Sequence, residues 1–140
     1  MSQERSRLGL LRRLTLGFVF CWFFFGGIAH FVFTATEMGI VPPWLPLHRL
    51  IVLVSGGFEL LGAAGILIPR LRPVAGLGLV LLTIAVTPAN IFMWRHAALY
   101  PGIPYALLVL RLPFQAVLIG AIWWSTRPAP KNLERRGASL

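Results

Sequence analysis

The sequence contains a single cysteine, Cys21, which lies inside an apolar run. One cysteine can form neither an intramolecular disulfide nor a cysteine-based metal site, and a lone cysteine in apolar surroundings mostly behaves as a small hydrophobic residue. Charge is also scarce, because 12% of the 140 residues are charged and 57% are hydrophobic. A soluble domain has about 25% charged residues. With a mean hydropathy of +0.78, the composition excludes an ordinary soluble domain.

The net charge of +9 does not predict nucleic-acid binding, because the basic residues lie at the two ends and in short connections. Ten of the 13 Lys and Arg residues belong to the N-terminal segment, to the turn at 70–72 and to the C-terminal tail. The opposite connections carry only Arg49 and Arg95. The positive-inside rule therefore predicts that both termini are cytoplasmic.

Four apolar stretches approach the roughly 20 residues that cross a bilayer as a helix. They are residues 14–33, 50–68, 74–94 and 105–124. The first stretch is too long for a signal peptide, and no A-x-A-like cleavage site follows it. The connections are short, so neighbouring helices are expected to run in opposite directions. The sequence predicts an all-α protein, an integral membrane antiparallel four-helix bundle that contacts the lipid bilayer.

Two basic segments flank this predicted domain at 14–124. Residues 1–13 form a cytoplasmic segment that is expected to start disordered and to continue as a short amphipathic helix. Residues 125–140 are rich in proline and charge, which predicts a disordered cytoplasmic tail.

Small residues recur in the spans, and small residues let helices in a membrane approach closely. The glycines concerned are Gly26, Gly27, Gly56, Gly57, Gly62, Gly65, Gly76 and Gly78.

Residues 34–49 form the longest internal connection. Pro42, Pro43 and Pro46 prevent a long regular helix, and Trp44 suits the interface between membrane and water. Two interpretations stay open: a folded segment that lies on or dips into the outer surface, or a plain loop with an interfacial anchor.

Each predicted span carries polar side chains at or outside its midplane, given a helical rise of about 1.5 Å per residue. A carboxylate such as that of Glu59 costs about 3 kcal/mol or more at the centre of a bilayer. Such a residue usually faces a bundle interior or a water-filled cavity. These positions predict a polar pocket that opens outward. Its candidate residues are His30, Ser55, Glu59, Asn90, Arg111 and Gln115.

Within that pocket we expect Glu59 and Arg111 to form a charge pair, and His30 to hold or move protons near neutral pH. Pro88 and Pro113 are expected to free backbone carbonyls close to the pocket. The alternative is structural: the ion pair and Asn90 only lock the helices in register. No metal is expected, because one histidine and one glutamate make a poor ligand set.

Six short motifs, in this order, resemble the DoxX family of small bacterial four-helix membrane proteins over about residues 16–124. They are GIAHF (27–31), VPPWLP (41–46), SGGFE (55–59), GILIPR (65–70), TPANI (87–91) and RLPFQ (111–115). The resemblance implies a multi-pass protein of the bacterial plasma membrane. Family members are similar to membrane subunits of thiosulfate:quinone oxidoreductase, or are linked to oxidoreductase complexes that handle thiol and oxidative stress.

The resemblance therefore implies a membrane subunit of such a complex, with a partner subunit or a homo-oligomer. Without a cysteine pair, a haem-ligating histidine pair or a flavin motif, the chain is expected to hold no intrinsic cofactor, and electron transfer would need a quinone, a partner subunit or both. Whether the chain is itself an enzyme stays open. The alternatives are a non-enzymatic scaffold or assembly subunit, and a small-solute transporter, for which no inverted repeat is visible.

Overall fold

The computed structural model describes residues 2–128, and all regular secondary structure in that range is helical. The helices are α1 (Ser2–Val32), α2 (Thr34–Met38), α3 (His48–Leu67), α4 (Arg72–Ala85), α5 (Thr87–Arg95) and α6 (Tyr105–Thr126), with a 3-10 turn at Ala97–Leu99. The all-α expectation is confirmed for this part of the chain.

Four helical stretches are long and apolar enough to cross a membrane. They are Ser6–Val32, His48–Leu67, Arg72–Arg95 and Tyr105–Thr126. Each overlaps one of the four predicted spans and differs from it by a few residues at either end, except that the first begins eight residues earlier. The chain is therefore compatible with a multi-pass membrane protein.

The N-terminal segment differs from its prediction, because α1 is one continuous helix from Ser2 and residues 2–13 are not disordered. Part of the reason is a tie to the other end of the fold: Arg12 Nε donates a hydrogen bond to the Ser125 carbonyl at 3.2 Å. At the C-terminus, α6 extends two residues past the predicted end, to Thr126. The expected disorder of the tail falls mainly on residues 129–140, which lie outside the described residues.

The third span is two helices rather than one. Helix α4 ends at Ala85, Val86 joins it to α5, and Pro88 lies in the first turn of α5. Pro88 has no N–H to donate to the carbonyl four residues back, so the helical hydrogen bonds are interrupted and a new helix starts with Pro88 in its first turn, where that N–H is not needed. Pro113, by contrast, is accommodated inside α6, where its missing N–H leaves the Val109 carbonyl without its usual partner.

The buried core takes two residues from each of the four long stretches. Helix α1 packs against α3, α3 against α4, and α6 against both α1 and α4. The core residues are Val19, Phe23, Ala63, Ile66, Leu79, Val80, Leu118 and Ile122.

Glycines determine how closely some of these helices approach. A Cβ atom added to Gly56 would lie 2.6 Å from His30 Cβ, and one added to Gly27 would lie 3.0 Å from the Gly56 carbonyl oxygen. Backbones of α1 and α3 are therefore in direct contact. Added Cβ atoms on Gly57 and Gly78 would meet open space, so the packing role predicted for these two is wrong.

Candidate binding cavity

One cavity of about 950 Å³ lies among α1, α3, α4, α5, α6 and the segment that follows α1. Cavities that bind small molecules range from about 300 to 1,000 Å³, so this one has room for a sizeable ligand. Its wall includes every polar residue singled out from the sequence. These are His30, Ser55, Glu59, Asn90, Arg111 and Gln115.

The polar residues of the wall form two clusters, which we call the first and second polar groups. The first joins α1 to α3. His30 Nδ1 lies 3.0 Å from the Val52 carbonyl oxygen and 3.3 Å from Ser55 Oγ, which itself donates to the same carbonyl at 2.9 Å. A carbonyl oxygen only accepts, so the hydrogen bond to Val52 requires a proton on Nδ1. The neutral ring then has a bare Nε2, and this nitrogen faces Glu59 Oε1 at 3.7 Å.

The His30 ring and the Glu59 carboxylate therefore face each other across the cavity wall, at a distance longer than a direct hydrogen bond. The other oxygen, Glu59 Oε2, is buried and has no hydrogen-bond partner among the described residues. A Cβ atom on Gly26 would lie 2.8 Å from it, so the carboxylate occupies space that only glycine leaves open. An unpaired buried carboxylate oxygen is costly, and it leaves an acceptor ready for a ligand.

The expected ion pair between Glu59 and Arg111 is wrong for the described structure, in which the charged or titratable side chain beside Glu59 is His30. Arg111 lies with residues of α5 instead: Nη1 donates to Asn90 Oδ1 and contacts Met93 Sδ, each at 3.5 Å. The acid and the cation thus belong to two separate polar groups of the same cavity wall.

The second polar group continues from Arg111 through α5 to α4. Asn90 Nδ2 donates to Gln115 Oε1 at 3.3 Å, and Gln115 Nε2 donates to the Thr83 carbonyl. Thr83 precedes the break in the third span, where Thr87 Oγ1 also donates to that carbonyl at 3.2 Å. The carbonyl that Pro88 itself leaves without a helical partner is that of Ile84, so the expectation that Pro88 frees a carbonyl toward the pocket stays a prediction.

The rest of the wall is mainly apolar and aromatic. Trp22 of α1 packs against Phe114 of α6 with ring centroids 4.7 Å apart, and Phe18 lies 6.2 Å from Trp22. Phe23 and Leu118, which also belong to the buried core, line the cavity as well. Two polar groups in such surroundings favour a ligand that is mostly apolar and carries a few polar atoms.

Residues 37–45, which we term the cover, close the cavity on the side of the connection after α1. Pro42 is fully buried, and the Trp44 ring packs edge-on against Phe92 at 5.3 Å. Tyr100 Oη donates to the Gly39 carbonyl at 2.9 Å, and burial raises the pKa of the Tyr100 hydroxyl. Of the two interpretations of this connection, the folded segment is confirmed.

Sequence reasoning missed Glu37, which also lines the cavity and whose charge acts on Glu59. The pocket was predicted from polar residues inside the four spans, whereas Glu37 lies in α2, outside them. The sequence did offer one indication of its role: Glu37 is a carboxylate about two helical turns after His30 and lies just before the prolines of the connection.

Within residues 2–128 no group of three or more His, Cys, Asp or Glu side chains could hold a metal ion. Arg111 can donate hydrogen bonds into the cavity, and the aromatic residues of the wall can pack against a flat ring.

Comparison with known proteins places the chain in one family without assigning a role. No curated protein matches the chain, and no solved structure does. One family model, described as a domain of unknown function (DUF8561), matches residues 19–126. That range includes the whole cavity wall apart from Phe18. The chain belongs to the DUF8561 family.

Proposed function

We propose that the chain is a multi-pass protein of the bacterial plasma membrane, folded as an antiparallel four-helix bundle with both termini in the cytoplasm. The outward faces of the long helices support insertion, because they are apolar at high exposure. Leu61, Val74 and Val117 are 70%, 72% and 69% exposed. Large apolar side chains exposed in such numbers are normally covered by lipid or by a partner.

Contacts between helix ends support the antiparallel arrangement. The end of α1 meets the start of α3 through His30 and Val52, and the end of α5 meets the start of α6 through Trp94 and Tyr105. The distribution of Lys and Arg supports the orientation, with the cover on the outer side.

For the function, we propose a membrane subunit of an oxidoreductase complex of the DoxX type, whose cavity binds the head group of a quinone. One observation carries the proposal: a histidine that faces a glutamate at 3.7 Å and a guanidinium belong to one largely apolar cavity. A quinone supplies two-electron redox chemistry coupled to proton uptake. It needs a hydrogen-bond donor, a proton source and an apolar, aromatic wall.

The chain's own residues have distinct roles in this proposal. Arg111, oriented by Asn90, donates a hydrogen bond to one ring oxygen and favours negative charge there. His30, held in place by the Val52 carbonyl, and Glu59 would supply a proton to a second ring oxygen when a partner subunit of the complex reduces the bound head group. The aromatic wall excludes water from the head group.

The test is binding of decylubiquinone to the purified protein in lipid nanodiscs, measured for Glu59→Gln and Arg111→Gln. A hydrogen bond to a charged group contributes about 1.5–3 kcal/mol, so each variant is expected to bind about ten- to a hundredfold more weakly. Ser125→Ala is the control, because Ser125 is buried and does not line the cavity. Equal binding by all four proteins would refute the proposal.

A second candidate, a scaffold or assembly subunit, is favoured by one observation: most polar atoms of the cavity bond to one another across helices, as Gln115 does to Thr83. This candidate predicts that Glu59→Gln and Arg111→Gln lower stability or partner binding. It also predicts no stoichiometric quinone in native mass spectrometry of the protein extracted with its lipids.

A further inference from the structure

The wall of the cavity between α1 and α6 has an unusual property, because several of its residues are also on the outer surface of the fold. Phe18, Trp22 and Phe25 line the cavity and are 48%, 47% and 64% exposed. Cys21 is also exposed and lines the cavity. A side chain that is exposed and lines an interior cavity forms a wall one side chain thick.

These residues lie in the middle of the first apolar stretch, Ser6–Val32. On the facing helix, Phe114 lies near the middle of Tyr105–Thr126 and is 36% exposed. If the helices span a bilayer, as the proposed function holds, the surface at that depth faces hydrocarbon rather than water.

Elsewhere in the fold, glycines bring neighbouring helices close together. Backbones of α1 and α3 touch at Gly27 and Gly56, and a Cβ atom on Gly65 of α3 would lie 2.7 Å from Ala75 Cβ of α4. Helix α4 meets α6 at Gly76 and Thr126. Between α1 and α6, beside the cavity, the contact is the ring packing of Trp22 on Phe114, and aromatic side chains can rotate aside without helix movement.

The cover is anchored to the rest of the fold, although its Trp44 also lines the cavity and is 64% exposed. Its lining residues are mostly apolar, Pro42 is fully buried, and the hydrogen bond from Tyr100 to Gly39 ties it to the connection before α6.

We propose that the cavity takes its ligand sideways from the bilayer, through a portal between α1 and α6 bordered by Phe18, Cys21, Trp22 and Phe114. The ligand is an uncharged, lipid-soluble molecule with a flat ring, because such a molecule dissolves in hydrocarbon and can slide between aromatic side chains. Its ring reaches the two polar groups while an apolar tail stays in the lipid. This inference rests on membrane insertion from the proposed function, and not on the identity of the ligand as a quinone.

The experiment photolabels the full chain in liposomes with 3-trifluoromethyl-3-phenyldiazirine, a small uncharged aromatic probe that partitions into bilayers. Leu118 and Ile122 provide a matched comparison one turn apart on α6. Both are buried, at 4% and 0% exposure, but only Leu118 lines the cavity. We expect severalfold more label on Leu118, since lipid contact alone reaches neither residue.

Two variants test the route. Cys21→Phe adds bulk to the portal and should lower labelling of Leu118 severalfold, whereas Gly17→Phe, one turn earlier, should leave labelling unchanged. An added Cβ on Gly17 meets nothing within 4 Å, and Gly17 is exposed outside the cavity wall. Tyr100→Phe loosens the cover and should also leave labelling by the lipid-soluble probe unchanged.

The portal is refuted if Leu118 takes up no more label than Ile122. It is also refuted if Tyr100→Phe raises the labelling while Cys21→Phe does not lower it, or if a charged, water-soluble diazirine labels Leu118 equally well. Because no quinone is used, failure of decylubiquinone to bind would leave this result standing. A quinone-binding protein with an unlabelled Leu118 would lose only the portal.

Discussion

Replacing Gly56 by alanine should disturb the fold and the cavity together, because Gly56 lies where α1 and α3 touch. The new methyl group would lie 2.6 Å from His30 Cβ, whereas ordinary contact begins near 3.4 Å. His30 Cβ is fixed to the backbone and cannot swing aside as the end of a flexible side chain could. The helices must therefore separate locally by about 0.8 Å.

That separation has two costs. Overpacking a close-packed site costs about 1–3 kcal/mol. Moving α1 away from α3 also stretches the 3.0 Å contact between His30 Nδ1 and the Val52 carbonyl, and interhelical hydrogen bonds in membranes contribute about 0.6 kcal/mol on average. We expect Gly56→Ala to lower the free energy of unfolding by about 2–4 kcal/mol.

Gly57→Ala is the matched control, because the neighbouring glycine has nothing within 4 Å of an added Cβ. Alanine favours helix by up to about 1 kcal/mol over glycine, so this variant should be neutral or slightly more stable. Equilibrium unfolding in mixed SDS micelles, followed by far-ultraviolet circular dichroism, measures both changes.

Equal stability of the two alanine variants would contradict the close contact of α1 and α3. If Gly56→Ala were destabilised but bound ligand in the cavity as before, the α1–α3 contact would not be what holds His30 beside Glu59.

Three further predictions concern the second polar group and the cover. Gln115→Leu removes the donor to the buried Thr83 carbonyl and should lower stability by about 1–3 kcal/mol in the same unfolding assay; no change would mean that this hydrogen bond is not made. Tyr100→Phe removes the tie to Gly39 and should speed hydrogen exchange of residues 39–45, with no effect on the core of α4. The hydrogen bond from Tyr100 to Gly39 should also depend on pH. Burial raises the pKa of Tyr100 above its ordinary value of 10.0, so the hydroxyl keeps its proton at neutral pH, and the hydrogen bond is lost only as the pH rises through the raised pKa. In Tyr100→Phe the exchange rate of the cover, corrected for intrinsic chemistry, should show no such alkaline step.

The helices were predictable because apolar length dominates their formation. Four apolar stretches of bilayer-spanning length, separated by prolines and arginines, are enough to locate α3 and α6 within two residues. The break of the third span at Val86 could not be predicted from the sequence. Proline is tolerated in the middle of α6 but starts a new helix in the third span, and the sequence around Pro113 and Pro88 does not distinguish these outcomes.

The candidate site was predictable in its members but not in its pairing. Counting residues along a helix gives the depth of a side chain and leaves open which neighbouring helix it faces. The contact of Gly27 with Gly56 brings His30 beside Glu59, whereas Arg111 is held by Asn90. Depth and opposite charge therefore predicted that Glu59 pairs with Arg111, whereas in the structure Glu59 lies beside His30.

Six of the eight core residues lie outside the cavity wall, and two, Phe23 and Leu118, belong to both. Ile66 and Ile122 of the core are fully buried and lie outside the cavity wall, so most of the apolar packing that resists unfolding does not depend on the ligand-facing residues. Exchanges at wall positions such as Phe114 or Ala89 can then alter ligand preference at little expense in folding. If the cavity binds a ligand as proposed, its preference can therefore be changed by substitution with the helical framework left intact.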